Sequence, residues 1–151
     1  MTKVDTSAFL DVVERLLSSG CRVRFRATGS SMHPAICDGE MLDVERVELT
    51  SIQPGDVLLY RHMRRPIAHR VMQICREGSA ISGFLLCGDA KTACDALVEP
   101  HQVLGRVIPN PWRRRAWAPK PWPRRRVFDY LGSCFGMLRN HCLAPRAIRQ
   151  T

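Results

Sequence analysis

Residues 28–36 read TGSSMHPAI, and the turn signal Asp38-Gly39 follows closely. This stretch comes directly after an alternating strand pattern. Glycine permits unusual backbone angles and proline fixes φ, so such a loop can hold a hydroxyl in one place. A serine acts as a nucleophile only when a base activates it and donors stabilise the oxyanion. The stretch therefore predicts a nucleophile, on the condition that the rest of the chain supplies its base.

The charge of the chain divides it into two unlike parts. Its 151 residues suit one domain and carry a formal net charge of +9. Residues 1–108 contain 13 Lys/Arg and 13 Asp/Glu, whereas residues 109–151 contain 10 Lys/Arg and one acid, Asp129. We therefore predict an amphipathic helix within residues 1–20, a neutral β domain over residues 21–108, and a basic tail over residues 109–151.

Cysteine usage and hydropathy favour a cytoplasmic protein. The seven cysteines form no C-x-x-C pair, and no secretory signal stands at the N-terminus, so free thiols are expected. No window reaches the roughly 20 uninterrupted apolar residues of a spanning helix. The best apolar run, 127–138, contains Asp129 and is too short. Clustered metal ligands are lacking as well, so we expect neither a metal nor a cofactor.

Hydrophobic periodicity predicts a mainly β body. Residues 6–18 carry apolar side chains at helical spacing, with Gly20 as a stop. Short strand patterns bounded by turn residues follow at 21–27, 41–47, 52–60, 67–74, 80–87 and 103–108. Such a series favours a coiled or barrel-like sheet over βαβ units. The first strand places three arginines on one face, which we expect to be solvated rather than to contact substrate or nucleic acid.

The tail carries a composition of its own. Trp112, Trp117 and Trp122 recur among prolines and arginines, a pattern that cannot build a packed core. Apolar residues from Phe128 to Cys142 then fall on one helical face, which predicts a helix. Docking of this helix on the body and contact with an anionic membrane, which would make the protein peripheral at the inner membrane face, are equal alternatives. Nucleic acid ranks third and is not an expected partner.

Four motifs stand in order along the body: Ser31-Met32-x-Pro34, Gly55-Asp56-Val57 before a strand, His69-Arg70-Val71, and Gly88-Asp89-Ala90 with Asp95 six residues beyond Asp89. In this order they resemble the signal peptidase I family. The resemblance covers about residues 27–108 and implies the β-coil fold that this family shares with the self-cleaving LexA-type repressors. Much of the family has lysine at the position of His69. A histidine there is similar to the archaeal and endoplasmic-reticulum branch.

The resemblance implies a serine peptidase with named residues. Ser31 is the expected nucleophile and His69 the expected base, and Ser31 is favoured over its neighbour Ser30 by the Met-x-Pro context. Asp89 and Asp95 both match acidic positions of the histidine branch, and spacing cannot rank them as the group that orients His69. The loop residues Gly29, Ser30, Met32 and Pro34 are the expected substrate-binding set.

The sequence identifies one of the two expected oxyanion donors and leaves two candidates for the other. The backbone N–H of Ser31 is the natural first donor. Some relatives place a serine two residues before the nucleophile, where this chain has Gly29, so Thr28 and Ser30 are the candidates for the second donor.

One departure from the family shapes the expected function. Signal peptidases have a membrane anchor before the catalytic serine, whereas this chain has only the helix at 6–18. We therefore expect a cytoplasmic or peripheral relative that cleaves a particular precursor peptide or protein. The alternatives are a non-catalytic binding module on the same fold and a DNA-associated, repressor-like protein.

Overall fold

A computed structural model describes residues 6–95, 97–111 and 117. One helix, α1, spans Thr6–Ser18, and it is followed by six strands. The strands are β1 (Val23–Arg26), β2 (Met41–Glu45), β3 (Val57–His62), β4 (Arg65–Glu77), β5 (Ala80–Cys87) and β6 (Val103–Val107). Short 3-10 turns lie at Leu49–Ser51 and Pro100–Gln102.

The six strands form one sheet in which every neighbouring pair is antiparallel. Their order is β1-β2-β6-β3-β4-β5. The long strand β4 pairs with β3 from Arg65 to Arg70, while its pairing with β5 begins at Arg70 and continues to Glu77. Within the described residues, the stretch of β4 from Arg65 to His69 is therefore paired on one side only.

The prediction of a mainly β fold is confirmed. Strand β5 and helix α1 have the predicted bounds, and the other strands fall within or overlap the predicted segments. Gly20, with φ +83, ends the helix, and its N–H donates to the carbonyl of Leu17. No helix among the described residues is both long and apolar enough to cross a membrane.

The buried stripe of α1 is narrower than its sequence pattern. Leu10, Val13 and Leu17 are buried at helical spacing, whereas Val12 and Leu16 are 55% and 40% exposed. The two exposed residues lie about 100° around the helix from Val13 and Leu17, beyond the stripe that the sheet covers. Apolar spacing alone could not distinguish the two neighbouring stripes.

Trp117 belongs to the predicted basic tail, and it packs in the core of the domain that precedes this tail. It is 9% exposed and packs in the core cluster that contains Val13 and Leu17 of α1 and Met32. The first of two compact units of the chain correspondingly runs from Met1 to Pro119, past the boundary predicted at residue 108. The predicted tail helix lies outside the described residues.

The arginine face of β1 is largely compensated by acids of the neighbouring strand. Arg24 forms a bidentate pair with Asp43 at 2.6 and 2.8 Å, and Arg22 pairs with Glu45 at 3.2 Å. This cross-strand pairing arises because β1 and β2 are antiparallel neighbours, with Arg24 opposite Asp43 in the register. The face is solvated, as expected, and two of its three charges are neutralised locally.

Candidate active site

The loop between β1 and β2 presents Ser31 at the side of the sheet. The backbone carbonyl of Ser31 accepts a hydrogen bond from the N–H of Ala90 at 2.9 Å. A side chain at Gly88 would approach that carbonyl to 2.7 Å and His69 Nε2 to 3.1 Å. Glycine therefore allows the chain after β5 to pack directly against the serine loop and the histidine.

His69 is the base that the serine loop required. It lies on β4, is 1% exposed, and its Nε2 is 3.1 Å from Ser31 Oγ. Its other ring nitrogen, Nδ1, is hydrogen-bonded to Asp95 Oδ2. Since a carboxylate can only accept, Nδ1 carries the proton and Nε2 is the acceptor for the Ser31 hydroxyl. This tautomer is the one that general-base catalysis needs.

The structure distinguishes between the two aspartates that the sequence left open. Asp95 contacts His69, and its backbone N–H is fixed by the carbonyl of Leu86 at 2.8 Å. Asp89 instead forms a bidentate ion pair with Arg70, with distances of 2.8 and 2.7 Å. Of the two candidates for the orienting position, Asp95 therefore occupies it, and Asp89 lies in a largely buried ion pair with Arg70.

Several groups keep Asp95 ionised. Burial tends to raise the pKa of its carboxyl, but the hydrogen bond and charge of His69, the Tyr60 hydroxyl and the charge of Lys91 together hold the pKa below its usual value. Lys91 Nζ lies 3.5 Å from Asp95 Oδ1, the oxygen that His69 does not use. An ionised carboxylate on Nδ1 is suited to stabilise an imidazolium at His69.

Tyr60 completes the site, and the sequence analysis did not identify it. Its buried hydroxyl donates to Asp95 Oδ2 at 3.0 Å and lies 3.4 Å from His69 Nδ1. Burial, the charge of Asp95 and the hydrogen bond to Asp95 all raise the pKa of Tyr60 above its ordinary value, so it remains a donor. In the sequence it stands at the end of an apolar strand, where tyrosine is common for packing reasons alone.

Replacing Tyr60 with phenylalanine removes only this donor. We expect kcat to fall about tenfold with KM unchanged, because a hydrogen bond to a charged group contributes about 1.5 kcal/mol and Tyr60 does not line the groove. Steady-state kinetics on a cleavable peptide measure the split. An unchanged kcat would mean that Asp95 and His69 hold their positions without the hydroxyl.

The predicted substrate-binding residues divide into two pairs. Gly29 and Met32 line a groove beside Ser31, whereas Ser30 and Pro34 do not. The chain turns tightly after the nucleophile, with hydrogen bonds from His33 N–H to the Ser30 carbonyl and from Ile36 N–H to the Met32 carbonyl. Ser30 is exposed after this turn, and Pro34 does not line the groove.

The backbone N–H of Ser31 has no hydrogen-bond acceptor among the described residues and is therefore available as an oxyanion donor. The N–H of Gly29 is already used, since it donates to Asp38 Oδ1 at 2.8 Å. Of the two hydroxyl candidates for a second donor, Thr28 lines the groove and Ser30 does not.

The groove itself encloses about 490 Å³ between α1, β1 and the one-sided stretch of β4. Phe9 of α1 and Phe25 of β1 form one wall and meet edge to face, with ring centroids 5.5 Å apart. Arg65 to His69 form the opposite wall. A channel of this size next to a nucleophile can accommodate several residues of an extended peptide.

Comparison with known proteins adds no further information. No family model matches the chain, and no curated protein matches it. The described residues also contain no cluster of side chains suited to a metal ion. The geometry of the site is therefore the basis for its chemistry.

Proposed function

We propose that this chain is a serine endopeptidase that cleaves a precursor peptide or protein, with Ser31 as nucleophile, His69 as general base and acid, and Asp95 as the orienting carboxylate. The observation that carries the proposal is the 3.1 Å contact between Ser31 Oγ and Nε2 of the buried His69, whose Nδ1 is bonded to Asp95. A histidine with one nitrogen on a carboxylate and the other on a serine hydroxyl is the arrangement that activates serine.

The reaction follows from the position of each proton. Ser31 Oγ attacks the scissile carbonyl while its proton passes to His69 Nε2, and the imidazolium is stabilised by Asp95. The oxyanion accepts a hydrogen bond from the Ser31 N–H, with Thr28 as the candidate for a second donor. His69 then protonates the leaving amine, and a water molecule hydrolyses the acyl-enzyme by the same path.

An extended peptide has a place to bind beside the nucleophile. The stretch of β4 from Arg65 to His69 is paired on one side only, so its outward N–H and C=O groups can pair with a substrate strand. Pairing along this edge directs the peptide past Ser31.

The proposal also includes the broader context inferred from the sequence. The motif order resembles the signal peptidase I family, and we infer that this chain is a relative of its histidine branch. We propose a cytoplasmic location, with residues 109–151 attaching the protein to an anionic inner membrane face or to its partner. Its substrate would then be a particular precursor rather than exported proteins in general.

Labelling with a fluorophosphonate tests whether Ser31 is activated, independently of any substrate. We expect the wild-type protein to gain one phosphonyl group on Ser31, Ser31→Ala to gain none, and His69→Ala to react at least 100-fold more slowly, within the usual range for general-base catalysis. Mass spectrometry of the labelled peptide identifies the residue. Incubation with a generic signal-sequence peptide, with and without anionic vesicles, then tests cleavage and the role of the tail.

Ser30→Ala is the matched control, since Ser30 neighbours the nucleophile but does not contact His69. It should be labelled at the wild-type rate. A folded wild-type protein that leaves Ser31 unmodified would contradict the proposal and leave a non-catalytic binding module.

A further inference from the structure

The groove beside Ser31 has an uneven distribution of charge. Most of the residues that line it are apolar, polar atoms nevertheless form about half of its surface, and the charged side chains are Arg26, Arg65 and Lys91. None of the described residues that line it is an aspartate or a glutamate. A ligand that enters this groove therefore meets apolar residues together with positive charge.

The pairing of arginines elsewhere in the fold makes this arrangement informative. Arg22, Arg24, Arg61, Arg70 and Arg106 all form ion pairs with carboxylates. The two groove arginines do not: Arg26 donates to the backbone carbonyl of Gly39 at 2.9 Å, and Arg65 has no ion-pair partner among the described residues. Arg46 and Arg76, which lie outside the groove, also lack an ion-pair partner among the described residues, so the groove is distinguished by the position of its unpaired arginines on a surface without acids.

Lys91 contributes less of this charge than the arginines. It lies 3.5 Å from Asp95, whose carboxylate is shared with His69. Its position is close to the catalytic centre, because a side chain at Gly88 would be within 3.2 Å of both Lys91 Cγ and His69 Nε2. The uncompensated charge is therefore found mainly at Arg26 and Arg65, away from the reacting atoms.

The register of β4 fixes where this charge meets a substrate. Arg65 and His69 are four residues apart on the same strand face, about 13 Å along an extended chain. A peptide that pairs with this edge and presents its scissile bond to Ser31 would have a side chain near Arg65 about four residues from the cut. A carboxylate at that position would compensate the arginine.

We propose that this groove selects acidic substrates: peptides with an apolar segment at the scissile bond and an Asp or Glu about four residues away, recognised by Arg65, with Arg26 as the second unpaired arginine of the groove. This inference rests on the proposed peptidase function and specifies its substrate class. The ion pair forms at the rim of the groove, where each charge retains part of its hydration. It therefore contributes selectivity rather than most of the affinity.

Protection of Ser31 from a fluorophosphonate measures this selectivity without needing the natural substrate. Three pools of short peptides share an apolar centre and carry Glu, Gln or Lys at the flanking positions. We expect the Glu pool to protect Ser31 at a concentration roughly fivefold lower than the Gln pool, and the Lys pool to protect least. High salt should reduce the difference between the Glu and Lys pools.

Arg65→Gln should remove most of the advantage of the Glu pool, and Arg65→Glu should reverse the order of the Glu and Lys pools. Arg76→Gln is the matched control, since Arg76 is an exposed arginine of the same strand that does not line the groove. It should leave the order unchanged.

The possible outcomes distinguish the acidic preference of the groove from the peptidase function on which it rests. Equal protection by all three pools, or a Glu advantage that survives Arg65→Gln, overturns the acidic preference and leaves the peptidase proposal standing. Labelling of Ser31 that no pool slows means that the groove takes no peptide, and it overturns both. Absence of labelling overturns the peptidase proposal itself.

Discussion

Asp95→Asn is expected to lower kcat/KM by about 10⁴-fold while the protein remains folded. The amide NH₂ would face His69 Nδ1 as a donor, so the imidazole would turn its acceptor nitrogen toward residue 95 and present N–H to Ser31. In that tautomer Nε2 cannot take the serine proton. The imidazolium would also lose the carboxylate that stabilises it, since Asp95 is the ionised partner in the native site.

Peptide cleavage kinetics and fluorophosphonate labelling measure this loss together, with circular dichroism as the check on folding. Asp56→Asn is a suitable control, because Asp56 is an acid of the same domain with no contact to His69. It should remain within a few-fold of the wild-type rate. A nearly active Asp95→Asn would mean that His69 is oriented by another group, and the assignment of Asp95 would be wrong.

The strands and the helix could be predicted from the sequence because their periodicity is local. Glycine turns mark the ends of strands, so Gly78 and Gly88 on either side of β5 made its bounds predictable. Burial within α1 was less predictable, since Val12 and Leu16 have the same chemistry as the buried Val13 and Leu17. Which stripe is covered depends on the position of the sheet, and this is a property of the whole fold.

The candidate site was predictable to a similar extent. The residue types of Ser31 and His69 and their order in the chain pointed to a nucleophile and its base. The choice between Asp89 and Asp95 depends on how the chain after β5 packs, and neither spacing nor residue type contains that information. Tyr60 was missed because its hydroxyl becomes functional only when β3 lies beside the loop that carries Asp95.

The core position of Trp117 was not predicted, because the residues around it indicate a segment without a core. The composition around it, rich in proline and arginine, is typical of segments without a core. A single aromatic side chain can still fill a gap in the core of another segment. Trp117 also stacks over the guanidinium of Arg70, 6.0 Å from its ring centroid, and its carbonyl accepts from Arg70 Nη1 at 3.3 Å.

Asp89, the other candidate aspartate, is expected to support stability rather than catalysis. Arg70 and Asp89 are 5% and 13% exposed, and Arg70 also donates to the carbonyl of Gly55 at 2.8 Å. The pair thereby connects three of the sequence motifs: the turn before β3, the strand that carries His69, and the chain after β5. Asp89→Asn would leave a buried guanidinium without a counter-charge.

We therefore expect Asp89→Asn to lower the free energy of unfolding by about 3 kcal/mol, measured by urea denaturation. The double variant Arg70→Met, Asp89→Leu should recover most of that loss, because it removes both charges and fills the same space.

Asp43→Asn is the matched control. It breaks a bidentate pair of the same geometry with Arg24 on the exposed face, where water already screens both charges, and its effect should be much smaller. Equal losses in Asp89→Asn and Asp43→Asn would mean that burial does not set the energy of the Arg70–Asp89 pair. Retained activity per folded molecule in Asp89→Asn, beside its loss in Asp95→Asn, would separate the two aspartates that spacing alone could not rank.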